Sequence, residues 1–211
     1  LSTHANLVGS QTLTLSGTGT IASKNVGSNK TVSIGSLSLA DGSNGGLAAN
    51  YTLTGGTHQL TVNQRPLNAT LARQYDATTT SAGSTLSSFD ALQGGENLTM
   101  TGSGTAASKN VANGIAMSSN GNLALADGTG SASNYSLNST VINISQRVLS
   151  SSGSKTYDAN TNALASAITL SNLASTETIN HSGTALTSSA NAGSYTISNL
   201  SGITIADGTN G

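Results

Sequence analysis

An all-β fold assembled from small repeated domains is what this sequence predicts, and three observations predict it. Apolar residues alternate with Ser and Thr, clusters of Gly, Asn and Asp separate the alternating stretches, and blocks of sequence return after 80–86 residues. Period two sets every second side chain on one face of a strand. Along the chain it is carried by Leu13 and Leu15, Val32 and Ile34, Leu37 and Leu39, Leu60 and Val62, Leu98 and Met100, Ile142 and Ile144, and Ile203 and Ile205. Ser and Thr fill the opposite face, where they tolerate water and where Thr favours extended backbone. The intervening clusters, DGSNGG at 41–46 and DGTGS at 127–131 among them, are turn chemistry. No segment keeps a 3.6-residue period for a dozen residues. The best helical candidate, 87–93, is long enough for one or two turns.

Composition narrows the function classes. The 211 residues include 35 Ser and 30 Thr, only 7% are charged, and the net charge is −1. Seven Lys and Arg spread from Lys24 to Lys155 form no basic patch, which excludes nucleic acid as a partner. No apolar run approaches the roughly 18 residues of a membrane-spanning helix. With no Cys there is neither a disulfide framework nor a thiolate metal site. No leader segment is visible, so any targeting signal is expected outside this stretch. Disorder fits poorly, because charge is low and β-branched residues are common and ordered in pattern. Hydrophobic residues are 35% of the chain and many are Ala, so the core must be thin and suits small modules.

The modules are visible as a repeat. GTGTIASKNV at 17–26 returns as GSGTAASKNV at 102–111, NQRPL at 63–67 as SQRVL at 145–149, and RQYDATTT at 73–80 as KTYDANTN at 155–162. NYTL at 50–53 returns as NYSL at 134–137, and ADG stands at 40–42, 126–128 and 206–208. The expected domains are an incomplete repeat over 1–64, a complete one over 65–146, and an incomplete one over 147–211. A row of such domains predicts an elongated rod of largely local stability, each domain a sandwich or a β-grasp-like arrangement. Short linkers are expected near Gln64-Arg65-Pro66 and Gln146-Arg147, with Pro66 stiffening the first.

YDA followed by Thr, then SGTGT-x-A-S-KNVG, then ADG with NYTL, then a strand ending in a basic residue and Leu, form a combination that resembles the YDG-type repeats of large bacterial surface adhesins. Those are similar to filamentous-haemagglutinin-like exoproteins exported by two-partner secretion. The resemblance runs over nearly the whole chain, with Lys155-Thr156-Tyr157-Asp158 and Arg73-Gln74-Tyr75-Asp76 opening two repeats. Ala77 and Ala159 replace the family's Gly after Tyr-Asp, which disfavours a left-handed backbone there. The third repeat has SSANAG at 188–193 in place of SKNV. The resemblance implies an extracellular, cell-surface stalk or spacer in an adhesin serving aggregation, attachment or biofilm. It also leaves open an adhesive module contacting polysaccharide or another copy of the protein, and a filament subunit joined by strand exchange.

Candidate site residues follow from recurrence. Tyr75-Asp76 and Tyr157-Asp158 are expected to be structural: the ring packs on the thin core, and the Asp accepts backbone N–H groups in an Asx-type turn. Asp41, Asp127 and Asp207, each followed by Gly, bring one carboxylate per loop where calcium wants several, so they read as turn residues and not as a metal site. Lys24-Asn25 and Lys109-Asn110 bring to mind a Lys–Asn isopeptide bond, but adjacent residues cannot bridge to each other. His4, His58 and His181 occupy no equivalent positions. Glu96 aligns with Glu177 but with Gln11 in the first repeat, which argues against an essential acid. No catalytic, cofactor or metal residues are assigned, and no enzymatic activity is expected.

Overall fold

The computed structural model describes residues 6–54 and 58–209. The chain is all-β and divides into two compact units, one of residues up to Pro66 with Thr129–Ser136, the other of Leu67–Gly128 with Leu137–Gly211.

In the first unit, β1 (Leu13–Ser16), β2 (Thr20–Ile21), β3 (Gly27–Ser33), β4 (Ser38–Asp41) and β5 (Gln59–Val62) follow one another. β1 pairs antiparallel with β4, Leu13 opposite Asp41, and β2, β3 and β5 form a second sheet. Among the described residues, Leu13, Val32 and Tyr135 are its buried apolar residues. Ile34 and Leu37, expected within strands, lie in the turn between β3 and β4, where Gly35 takes a positive φ of 57°.

Most of β6 (Arg65–Gln74) belongs to the second unit, and Arg65 and Pro66 begin that strand where a linker was expected; Pro suits this place because a strand's first residues need not donate to the ladder. Next come β7 (Thr80–Ala82), β8 (Leu86–Phe89), β9 (Leu98–Thr101), β10 (Ser103–Ala106), β11 (Ala112–Ser119), β12 (Ala124–Asp127) and β13 (Tyr135–Ser145). Their six-stranded sheet has the order β7-β10-β11-β13-β6-β8, and β12 pairs with β9 beside it. Ser139 Oγ donates to Asn68 Oδ1 (2.6 Å), and further along both strands Ser145 Oγ lies 3.4 Å from Arg73 O, so β6 and β13 run the same way. The first and last strands of the complete repeat are thus parallel neighbours. β13 is antiparallel to β11, with Ile142 opposite Ile115 and Ile144 opposite Ala112.

Alternation along β6 and β13 builds the core. Leu71, Ala69, Ile142 and Ile144 are all but inaccessible and pack with Met100 and Ala106. Tyr75, Phe89, Met117 and Leu125 close its margin. The helical candidate at 87–93 is instead β8 and a bend. Leu86 and Phe89 face the core with two Ser between them, and the left-handed backbone of Ala91, Gly94 and Gly95 then forbids a helix. The helical turns among the described residues are 3₁₀ segments of three residues, at equivalent repeat places: Ala48–Asn50 with Ala132–Asn134, and Gly83–Thr85 with Ala165–Ala167.

The remaining strands are β14 (Ser150–Gly153), β15 (Asn162–Leu164), β16 (Ile168–Ser171), β17 (Ile179–Thr187), β18 (Ile197–Asn199) and β19 (Ile203–Asp207). β14 pairs with β16, while β17 is the hub for β15, β18 and β19. Ala163, Ile168 and Ala185 form a much smaller core here.

Leu60 and Ile142 occupy equivalent places, opposite Lys30 and Ile115 respectively. Ile142 is fully buried and Leu60 is 42% exposed. Ile142→Ala should therefore cost about 2–5 kcal/mol, and Leu60→Ala about 1 kcal/mol. Urea unfolding followed by circular dichroism measures both, and equal losses would contradict the packing described.

Candidate functional site

The recurring polar residues were the sequence's candidates, and the structure shows what each one holds. After β6, Asp76 Oδ1 accepts the Thr78 N–H and the Thr78 hydroxyl, both at 2.9 Å. This is an Asx turn. Arg73 donates to the same carboxylate oxygen and to Thr78 O. The equivalent turn in the third repeat has Lys155 Nζ donating to Asp158 Oδ1 (2.7 Å), Asn160 O (2.8 Å) and Asn162 O (2.7 Å). In both, a cation three residues before the Asp clamps the carboxylate together with downstream carbonyls. Partial burial alone would raise the Asp76 pKa, but the Thr78 donors and Arg73 outweigh it and hold it below the usual carboxylate range. Asp158 is lowered chiefly by its hydrogen bond from Lys155.

Between cation-bound Asp and Thr sits Ala77, at φ 65°, and its counterpart Ala159 is at φ 60°. Ala therefore does adopt the left-handed backbone that its Cβ disfavours, correcting the expectation from sequence. The clamp supplies the reason: with Asp fixed to both Thr78 donors, the chain between them has no other way to turn.

The two tyrosines share the Tyr-Asp-Ala motif but differ in place. Tyr75 is half-buried against the core and its hydroxyl donates to Glu177 Oε1; Tyr157 is 63% exposed. Tyr157 therefore does not pack on a core as expected, because β14 beside it offers Ser and Gly where β6 offers Ala and Leu. Glu177 also lies 3.7 Å from Lys109 Nζ, with 9% of its side chain exposed. Arg147 donates to Asn172 O (2.6 Å) and Asn172 Oδ1 (2.9 Å), with Tyr75 O at 3.4 Å. Around these groups lies a cleft of about 400 Å³ whose walls include Val111, Leu173, Ile179 and Ile205. The hydrogen bond to the Glu177 carboxylate, then burial, push the Tyr75 phenol up to about 12. Its hydroxyl donates to Glu177, which makes it a strut between repeat elements.

The Ser-x-Asn turn is a recurring site that sequence comparison missed. Ser23 Oγ accepts the Asn25 N–H (3.3 Å), Ser108 Oγ that of Asn110 (3.1 Å), and Ser189 Oγ that of Asn191 (3.1 Å). Matching on Lys-Asn-Val hid the third copy, although its Ser and Asn keep their spacing. In the first unit Asn25 Oδ1 accepts from Asn134 Nδ2 (3.1 Å), and Asn134 Oδ1 accepts the Val26 N–H (2.9 Å). Lys24 is exposed in the same turn.

Asp41, Asp127 and Asp207 lie in matching register, opposite Leu13, Leu98 and Ile179. Asp41 Oδ1 accepts the Ala48 N–H at 2.7 Å. The glycine after each aspartate is forced by contact: a Cβ on Gly42, Gly128 or Gly208 would stand within 2.1–2.6 Å of the main-chain oxygen of Thr12, Asn97 or Thr178. His181 Nε2 lies 3.1 and 3.0 Å from the Ala165 and Ile168 carbonyl oxygens and donates between them. His58 is in the first unit, and His4 lies outside the described residues. Among the described residues no group of three His, Asp or Glu side chains is placed to hold a metal ion.

Comparison with protein families matches the YDG domain twice, at residues 1–61 and 57–142. The chain belongs to the YDG domain family. Neither the curated proteins nor the solved structures compared with it give a match.

Two expectations follow. Ala77→Gly and Ala159→Gly should each stabilise the chain by about 1 kcal/mol, the cost of a Cβ in the left-handed region; thermal unfolding would reveal it. Spectrophotometric titration should show one of the five tyrosines ionising near pH 12. The folded-state pKa is raised, so the stabilisation is present below about pH 10 and is lost as pH rises towards 12. Tyr75→Phe should remove that late step, and Glu177→Gln should return it towards pH 10.

Proposed function

We propose that this chain is a stalk segment of a large extracellular bacterial adhesin of the filamentous-haemagglutinin-like, two-partner-secreted kind, holding a binding tip away from the cell. The observation that carries the reading is where the recurring polar residues are spent. Asp76, Asp158, Asp41 and the Ser-x-Asn serines all bind the chain's own backbone. A repeated motif that satisfies itself at every occurrence serves folding, whereas a ligand site keeps groups in reserve. Extracellular placement agrees with the absence of Cys and the sparse charge. No helix among the described residues is long and apolar enough to cross a membrane.

Mechanism in a spacer is extension. Each domain, with boundaries near 65 and 147, stabilises itself through local turns and its own thin core, so copies add length without new chemistry. Polysaccharide and homotypic contacts would then belong to other parts of the adhesin. Small-angle scattering on chains of two, three and four repeats is the test. The maximum dimension should grow by a constant increment per repeat; growth as the cube root of mass would refute the spacer role.

A further inference from the structure

β6 receives the chain from the first repeat at Arg65, and β13 passes it on to the third at Ser145. Tension carried along the chain therefore enters the complete repeat at the start of β6 and leaves at the end of β13. These two strands are neighbours inside the sheet and run the same way. The start of one and the end of the other lie at opposite ends of the pair. Such tension drives the strands past each other along their own axes. The ladder bonds of a parallel pair are evenly spaced and lie across that direction, so they are loaded together. Two strands drawn apart from the same end separate one bond at a time.

The pair is pinned at both ends and between them. Near the start of β6, Asn68 Oδ1 accepts Ser139 Oγ at 2.6 Å and Asn138 Nδ2 at 3.0 Å. Asp90 holds Asn68 in place by accepting its main-chain N–H and its side-chain amide, each at 2.7 Å. At the far end the Tyr75 N–H donates to Ser145 O at 2.9 Å. Between these points Leu67, Ala69 and Leu71 of β6 and Ile142 and Ile144 of β13 are 0–1% exposed. β8 and β11 cover the outer edges of the two strands. Water, which would otherwise take the place of a broken ladder bond, is kept from the middle of the pair. Strands repeat with period two, so a slide by one residue sets main-chain groups that face inward against groups that face away. No ladder re-forms until a whole pleat has passed.

We propose that the β6–β13 pair is a mechanical clamp: the complete repeat resists tension applied along the chain and yields readily to force applied from one end of the pair. The direction of loading sets the resistance, because the same bonds are broken together in one case and in turn in the other. The inference goes beyond the spacer reading and does not depend on it, since it follows from strand direction alone. Scattering measures length without load, so either reading can fail while the other stands.

The experiment is single-molecule pulling on the full chain, held through pairs of introduced cysteines. The protein has no Cys of its own, so the handles attach only where they are placed. Asn63→Cys with Gln146→Cys loads the clamp along its strands, because these exposed positions stand just before β6 and just after β13. Gln74→Cys with Gln146→Cys loads it from the far end, Gln74 being the exposed last residue of β6. Asn63→Cys with Ser133→Cys loads it from the near end, Ser133 being exposed just ahead of β13. At one pulling speed, the first pair should need roughly twice the force of either other pair or more, forced unfolding being governed by the unfolding barrier. Urea unfolding without load should give all three the same stability, which separates a weak direction from a weakened fold. With two end-loaded pairs, the comparison stands on the other if one of them disturbs folding. Equal forces in all directions, or a lower force along the strands, would overturn the proposal.

Discussion

The parallel contact between β6 and β13 is the constraint on which the complete repeat depends. It joins residues about 70 positions apart, Asn68 to Ser139 and Arg73 to Ser145. Every other strand of that sheet is placed by one of these two: β8 hangs on β6, and β11, β10 and β7 extend outward from β13. The four residues buried to 1% or less in this core, Leu71, Ala69, Ile142 and Ile144, come from these two strands alone. Closing so long a loop carries an entropic cost that is not repaid until both strands are in register. A polar cluster fixes that register. Asp90 accepts the Asn68 N–H and side-chain amide at 2.7 Å, and Asn68 Oδ1 then accepts Asn138 Nδ2 and Ser139 Oγ. A slip of one residue between β6 and β13 would break the bonds from Asn138 and Ser139 to Asn68 and turn both isoleucines outward.

Seen this way, the chain's polar composition has two employments. Ser and Thr supply the wet faces of strands, and a smaller set of Asp, Asn and Ser holds turns by binding backbone N–H groups. The turns are stiff enough to hold Ala in a left-handed conformation at two equivalent places, where the cation-bound Asp leaves no relaxed alternative. The Lys155 turn shows why its components do not amount to chemistry. Lys155, Asp158 and Asn160 Oδ1 meet within 3.2 Å, the partners an isopeptide bond would need. Yet Asp158 is nearly half exposed and ion-paired with Lys155, so it is not a buried acid set beside the amine.

Strands and turns were legible in the sequence because both rest on local rules: period two, and the Gly-Asn-Asp clusters that interrupt it. Pairing partners were not. The Tyr-Asp-Ala motif is common to Tyr75 and Tyr157, and part of what separates them is Glu177, 102 positions from Tyr75. Glu177 itself looked dispensable because the first repeat has Gln11 at that place. Gln11 Oε1 accepts a tyrosine hydroxyl too, from Tyr51 at 2.5 Å. Both positions serve as acceptors, though for tyrosines that are not equivalent in the repeat, and a comparison by charge overlooks that role. The segment 87–93 misled for a simpler reason: the backbone signs of Ala91, Gly94 and Gly95 are decided by the loop they close and not by propensity.

The third repeat carries this further. Position for position, Ala69, Leu71, Met100 and Ala106 of the complete repeat become Ser151, Gly153, His181 and Thr187. A core so altered loses most of its apolar burial, and in its place His181 and Thr187 bind main-chain oxygens. The Tyr-Asp turn, the Ser-x-Asn turn and the Asp-Gly turn nevertheless persist with their hydrogen bonds or register intact. Strand directions are thus set by the turns, and the interior is free to drift so long as its volume is filled from somewhere. In the complete repeat β13 fills it. Where Leu71 has become Gly153, the third repeat keeps the turn and gives up the apolar wall.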